Sequence, residues 1–279
     1  MRSIVRVMKT MSLVSITQSQ HAARRLRAYS EIIDRGLHAV MMAAPGLAET
    51  SRSLGPAASM GLVAFGSEQG LCGRFNEIVA ERVMQRISEH DGDVAMLAVG
   101  TRGGQRLEAM GHAPDSVLIQ PASVGGLTAM AEAAVLTIDR WQSTNKIESV
   151  DVVFNRETAQ GGVEAVVETL LPIDQGALVR IAARRWPSRQ LPTFDAEARR
   201  VFSPLVRERM FTALMRAGAE AMAAEHTTRL SAMQAAEKNI AGKVGELQAL
   251  YRHERQDAIT NELMDIVAAY KTLAGEEDG

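Results

Sequence analysis

The segment ERMFTALMRAGAEAMAAEHTTRLSAMQAAEKNIAGKVGELQALYRHERQDAITNELMDIVAAYKTL, Glu208 to Leu273, decides the architecture. No proline interrupts the stretch from Leu205 to Leu273, and at 1.5 Å per residue a helix of roughly 70 residues reaches about 100 Å. Such a helix is an arm rather than a core element. Its apolar residues, among them Leu230, Met233, Ile240, Val244, Leu247, Tyr251, Ile259, Leu263, Ile266, Tyr270 and Leu273, fall at single or double steps of three and four, a period of about 3.5 and the heptad signature of a helix lying along another helix. Gly218, Gly242 and Gly245 each cost about 1 kcal/mol relative to alanine in a helix interior. A partner has to hold the rod.

That partner is legible at the other end of the chain. Ile4, Met8, Met11, Ser15, Gln18, Ala22, Arg25, Tyr29 and Ile32 repeat at steps of four and three, with Leu37 and Val40 extending the face and Pro45 and Gly46 ending it. Two long helices at opposite termini fit an antiparallel pair. The middle alternates short apolar runs with helical stretches: Met60–Ser67, Asp93–Gly100, Ser116–Gln120, Ser149–Glu157 and Val163–Ile173 read as strands, which predicts a small sheet with crossover helices. The expected class is therefore α/β, a long antiparallel coiled coil plus a small Rossmann-like α/β domain. Its expected divisions are an N-terminal coiled-coil helix over 1–55, the central α/β domain over 59–175, a connection with room for one edge strand over 176–204, the long helix over 205–273 and a tail over 274–279.

Composition narrows the classes. At 279 residues, 46% hydrophobic and 23% charged, the chain can bury a core, and its 4% aromatic content favours helices over an all-β fold. A formal net charge of -2 provides no general field for nucleic acid or anionic lipid. The lone Cys72 rules out an internal disulfide and suits a reducing compartment. No apolar run reaches the ~20 residues that span a bilayer, and no signal peptide is apparent. A soluble cytoplasmic protein is expected.

Motifs that could carry chemistry are few. Gly70-Leu71-Cys72-Gly73 and Gly100-Thr101-Arg102-Gly103-Gly104 follow strands, which admits phosphate binding at helix N-termini, yet neither has P-loop or dinucleotide spacing. Tight turns are the simpler reading. Cys72 has no histidine in its motif and reads as a packing thiol, and the scattered histidines show no metal spacing. Tyr251–Arg255 reads as a solvated face with i,i+4 charge pairs. Neither a catalytic residue, a cofactor nor a metal is expected.

Three pieces together reach further. Gly70–Gly73 (GLCG), Val7–Ser15 (VMKTMSLVS) and Arg255–Val267 (RQDAITNELMDIV) resemble signatures of the γ subunits of F-type rotary ATP synthases, as do EHTTRLSAMQAAEKN before the last of them and Phe154-Asn155 with Leu170-Leu171-Pro172. The resemblance implies a central rotor shaft without an active site, coupling rotation of the c-ring to nucleotide binding in the α3β3 ring, with α, β, ε and c-ring as partners and no nucleic acid. It also implies a peripheral location on the cytoplasmic face of the bacterial inner membrane. Carried over residue by residue, Arg255, Gln256, Thr260 and Glu262, with Lys9 and Met11, correspond to coupling contacts with β. Gly70, Leu71, Cys72 and Gly73 correspond to the turn at the foot of the shaft. The sequence departs from the family where Glu68 and Gln69 replace a basic residue before GLCG and where Gln18–Gln20 replaces a basic stretch. These departures suggest a divergent branch, such as the sodium-translocating N-type enzymes, and leave a non-motor scaffold derived from the family as the alternative.

Overall fold

The computed structural model describes residues 2–44, 46, 59–145, 147–173, 175–183, 185–186, 188–190, 192–194 and 197–276. The expected helix stop at Pro45, Arg184 and Pro187 of the connection and the last residues of the tail lie outside these, as do the side chains of Tyr270 and Leu273. The elements run α1 (Arg2–Ala43), β1 (Met60–Phe65), α2 (Phe75–Ser88), β2 (Val94–Val99), α3 (Thr101–Ala109), β3 (Ser116–Leu118), α4 (Leu127–Arg140), β4 (Ser149–Glu157), β5 (Val163–Leu171), α5 (Gln175–Ala182) and α6 (Ala198–Glu276). By contacts they fall into two compact units, one of Met8–Ala232 and one of Met1–Val7 with Met233–Gly279.

In the larger unit a five-stranded sheet has the order β3-β2-β1-β4-β5. β1 pairs in parallel with β2 and β4, and β2 with β3, while β5 returns antiparallel to β4. All five expected strands are therefore present. β1 is buried along its whole length, as a central parallel strand covered on both faces should be, hence its unbroken apolar run MGLVAF. Its side chains alternate between two cores. Leu62 and Ala64 pack with Val79, Val83 and Leu107 of α2 and α3, whereas Val63 and Phe65 pack with Leu127, Ala134 and Ile138 of α4 and with Leu214 and Ala217 of α6.

Within this unit α1 and α6 run antiparallel. Arg27 pairs with Glu220 at 2.8 Å and Asp34 with Arg209 at 3.3 Å, so residues rising along α1 meet residues falling along α6. The seam differs from the expected one. Met11, Gln18, Arg25, Tyr29 and Ile32 are exposed, and the buried stripe of α1 is Ser12, Ser19, Ala23, Ile33, Leu37 and Val40. Ala23 of this stripe packs in one core with Ala217, Ala219, Ala221 and Ala224 of α6. Leu37 and Val40 of the expected face belong to the buried stripe, but along the earlier part of α1 the expected face is turned from it by about 90°, at 100° per residue.

The connection also differs. No strand is described within 176–204; α5 instead places Leu178 with Ile173 and Met41, against Val206. α6 begins at Ala198 and carries Pro204 inside it, although its lack of an N–H removes one helical hydrogen bond.

In the smaller unit Val5 and Met233 are buried. Beyond them, every described side chain from Glu246 to Ala268 of α6 is exposed.

Candidate functional site

The GLCG turn is shaped by backbone conformation. Leu71 and Gly73 both have left-handed φ, 62° and 57°, and a Cβ on Gly73 would lie 3.1 Å from Thr228 Cγ2 of α6. Glycine lets the turn lie against that helix. Leu71 is left 65% exposed at the tip. Cys72 is buried, with its Sγ 3.5 Å from Ser67 Oγ and accepting from Asn76 Nδ2 at 3.7 Å. Burial pushes its thiol pKa up, the reverse of what a nucleophile needs.

The second glycine cluster serves packing. A Cβ on Gly66 would fall 2.3 Å from Gly103 Cα, so the end of β1 and the first turn of α3 touch backbone to backbone. Glu68 then occupies the α3 N-terminus: its carboxylate accepts from Thr101 N at 3.1 Å, Thr101 Oγ1 at 2.7 Å and Gln120 N at 3.3 Å. Burial opposes ionisation, but these hydrogen bonds prevail and lower its pKa. The place where a Rossmann-type domain would cradle a phosphate is filled by the protein's own anion. The Glu68 departure thus has a local cause, the joining of the loops that follow β1, β2 and β3.

Beside this cap lies a cavity of about 240 Å³ between α1, the loops after β1 and β3, and α6. Met11 lines it. Across it Glu225 and Arg229 form a buried ion pair, each side chain 7% exposed. Gln120 Nε2 donates to Glu225 at 2.9 Å and Arg229 Nη1 to His226 Nδ1 at 3.2 Å. Burial raises the Glu225 pKa against the opposing pull of Arg229, and burial with the neighbouring guanidinium lowers that of His226 to about 4. At neutral pH His226 is an uncharged acceptor. Sequence reading missed this cluster, although EHTTR places its glutamate, histidine and arginine on one helical face.

A second polar cluster fastens the sheet to the helices. Glu220, with a side chain only 4% exposed, meets Arg156 at 2.6 Å, Arg27 at 2.8 Å and Arg216 at 3.4 Å, and Glu168 of β5 binds Arg156 at 2.8 Å and Arg216. Thr227 and Gln20 both donate to Glu157 at the end of β4.

The expected coupling residues fall in both units. Met11 and half-buried Lys9 belong to the larger one with Gly70–Gly73; Arg255, Gln256, Thr260 and Glu262 are exposed on α6 in the smaller one. Thr260 Oγ1 donates to Gln256 O at 2.9 Å, an ordinary intrahelical bond. Among the described residues no group of side chains has the makings of a metal site, and no helix is long and apolar enough to cross a membrane.

The chain thus carries two long terminal helices and an α/β domain whose phosphate corner is closed by Glu68. Comparison with known proteins makes this specific. A family model described as ATP synthase matches residues 1–273. The ATP synthase gamma chain of Cupriavidus necator is 26% identical over 270 residues, covering 96% of this chain and 92% of the relative. That of Polynucleobacter necessarius is 27% identical over 271 residues, covering 95% and 92%. In fold, the chain is similar to one in the Euglena gracilis mitochondrial ATP synthase, with a TM-score of 0.66 at 13% identity over 100% of this chain and 92% of that one. It is also similar to one in the central stalk/c-ring structure of the Tetrahymena thermophila mitochondrial ATP synthase, with a TM-score of 0.60 at 17% identity over 84% and 99%. The chain belongs to the ATP synthase gamma-chain family, the non-catalytic central-stalk subunits of F-type ATP synthases.

Proposed function

We propose that this chain is the rotating shaft through which a bacterial enzyme links ion flow at its c-ring to nucleotide binding in an α3β3 ring, with ε as a further partner and a peripheral seat on the cytoplasmic face of the inner membrane. The observation that carries the reading is the far part of α6. Leu247, Leu250, Tyr251, Ile259, Leu263, Met264, Ile266 and Val267 are each 47% to 68% exposed, and at 100° per residue they point around the whole helix. An apolar surface of this kind calls for partner protein, and one spread around the circumference suits a surrounding sleeve better than a single companion helix. Arg255, Gln256, Thr260 and Glu262 stand among these residues as hydrogen-bonding contacts for β, while Lys9 and Met11 of the larger unit supply further contacts. An asymmetric shaft inside such a ring favours a different affinity at each β site, and by linkage each nucleotide state favours a shaft angle.

Co-expression with the α and β subunits of the same organism, purified through a tag on β, tests the assignment. Recovery of a complex holding three α, three β and one copy of this chain is expected, with ATPase activity that falls when Arg255→Ala and Gln256→Ala are combined. Recovery of α and β alone would favour a scaffold that has left the motor.

A further inference from the structure

A second cavity, of about 310 Å³, lies between α1, the end of β4 and α6, and its polar wall includes Arg24, Arg27, Arg156, Glu157 and Glu220. One carboxylate holds two of these guanidinium groups close together: Arg27 Nε and Nη2 donate to Glu220 Oε1 at 3.1 and 2.8 Å, and Arg156 Nε donates to Glu220 Oε2 at 2.6 Å. Neither is used up. Arg27 Nη1 has no hydrogen-bond partner among the described residues, on a side chain 54% exposed. Arg156 gives Nη2 to Glu168 at 2.8 Å, and its Nη1, also without a partner among the described residues, keeps accessible surface. Arg24 stands one turn before Arg27 on α1 and is exposed. Its contact among the described residues is from Nη2 to His21 Nδ1 at 3.3 Å, so its charge is not met by a carboxylate.

We propose that this cavity is a binding site for a phosphate group, free or carried by a nucleotide, held by the spare N–H groups of Arg24, Arg27 and Arg156. The charges decide the class of ligand. In the wall and the ion pairs that reach it, the four guanidinium groups of Arg24, Arg27, Arg156 and Arg216 face the three carboxylates of Glu157, Glu168 and Glu220. Arg24 supplies the excess. Glu157 is already engaged, one oxygen accepting from Thr227 and the other from Gln20 Nε2 at 2.7 Å. A cation would therefore enter against net positive charge. A tetrahedral dianion suits donors arriving from several guanidinium groups, whose charge-assisted bonds to phosphate oxygens are among the stronger ones, whereas a planar monoanion gathers fewer of them. Bound there, a phosphate bridges α1 to β4 beside the link that Glu220 already makes.

Inorganic phosphate and ADP are the probes, titrated at constant ionic strength into the full chain with its arginine nitrogens labelled with nitrogen-15. Saturable shifts of the Arg24, Arg27 and Arg156 Nε–H resonances are expected, with a dissociation constant on the order of 1 mM. Tighter binding of phosphate assigns the site to the free ion, and tighter binding of ADP assigns it to a nucleotide. Chloride and acetate are expected to bind at least about tenfold more weakly than the better probe. Arg24→Gln is expected to weaken that probe at least about tenfold, the loss of a hydrogen bond from a charged group. Arg25→Gln removes the same charge from the exposed neighbour outside the cavity wall and is expected to leave binding unchanged. The proposal is overturned if neither probe shifts the three arginines, if Arg25 shifts as much as they do, if chloride or acetate binds as well, or if the two variants weaken binding alike. The titrations of the unaltered chain decide the matter even where a variant fails to fold.

Discussion

Glu220 is where one side chain carries the most. It lies almost wholly buried between Arg27, Arg156 and Arg216, so its carboxylate compensates guanidinium groups arriving from α1, β4 and its own helix. Removing one partner of such a buried arrangement leaves the others uncompensated, and Glu220→Ala should destabilise the chain by about 3–5 kcal/mol, read from urea unfolding. An unchanged midpoint would show that the network is decoration. The same neighbourhood sets the response to acid. Burial opposes ionisation of Glu168, yet the hydrogen bonds and charges of Arg216 and Arg156 prevail and hold its pKa below the ordinary carboxylate value. A depressed acid contributes stability that is present above the unfolded pKa and lost as pH falls through the folded one, here below about 4.3. His226 acts in a separate window. Its folded pKa of about 4 stands below the ordinary 6.5, so the unfolded chain binds the extra proton between these values and stability declines as pH drops from 6.5 toward 4. His226→Gln should flatten that decline and leave the loss at lower pH intact, as pH-dependent urea titrations would report. An unaltered slope between pH 6.5 and 4 would remove His226 from the account.

The glycines of α6 look alike in sequence and differ in the folded helix. A Cβ at Gly218 would stand 2.9 Å from both Leu127 Cδ2 and Met130 Cε of α4, whereas at Gly242 and Gly245 it would meet nothing within 4 Å. Gly218→Ala should therefore lower stability by roughly 1–3 kcal/mol through overpacking, while Gly242→Ala and Gly245→Ala should each raise helix stability by about 1 kcal/mol. Thermal melts followed by helical circular dichroism separate the cases, and equal effects at the three sites would contradict this distinction. The contrast also shows what the sequence could reveal. β1 and β4 were legible because strands buried on both faces demand apolar runs such as MGLVAF, and the long α6 because no proline follows Pro204. The seam of α1 was not, since close packing there selects Ser12, Ser19 and Ala23 and leaves Met11 and Ile32 outside. α5 was missed because the prolines around it read as a connection, and the start of α6 because a proline was taken as a boundary. Of the candidate site, GLCG was visible as a turn. The Glu68 cap and the Gln120–Glu225–Arg229 cluster join residues far apart in sequence, which no local pattern reports.

At the scale of the molecule, the chain divides its tasks. The larger unit invests in fixed geometry: a sheet with two filled cores, backbone contact between Gly66 and Gly103, and an arginine–carboxylate network holding β4 and β5 to the terminal helices. The smaller unit holds α6 residues whose apolar side chains are exposed among the described residues. Such a division suits an element gripped at one place and turned from another. Rotation of the chain within an assembled complex tests that claim most directly. Ala113 follows α3 and is exposed, and the native Cys72 is buried with a raised pKa, so Ala113→Cys gives a selective attachment point for a bead while β subunits are fixed to glass. The account predicts sustained rotation in one direction on adding ATP, weakened when Arg255→Ala and Gln256→Ala are combined. Hydrolysis of ATP by the same complexes with the bead held still would contradict it.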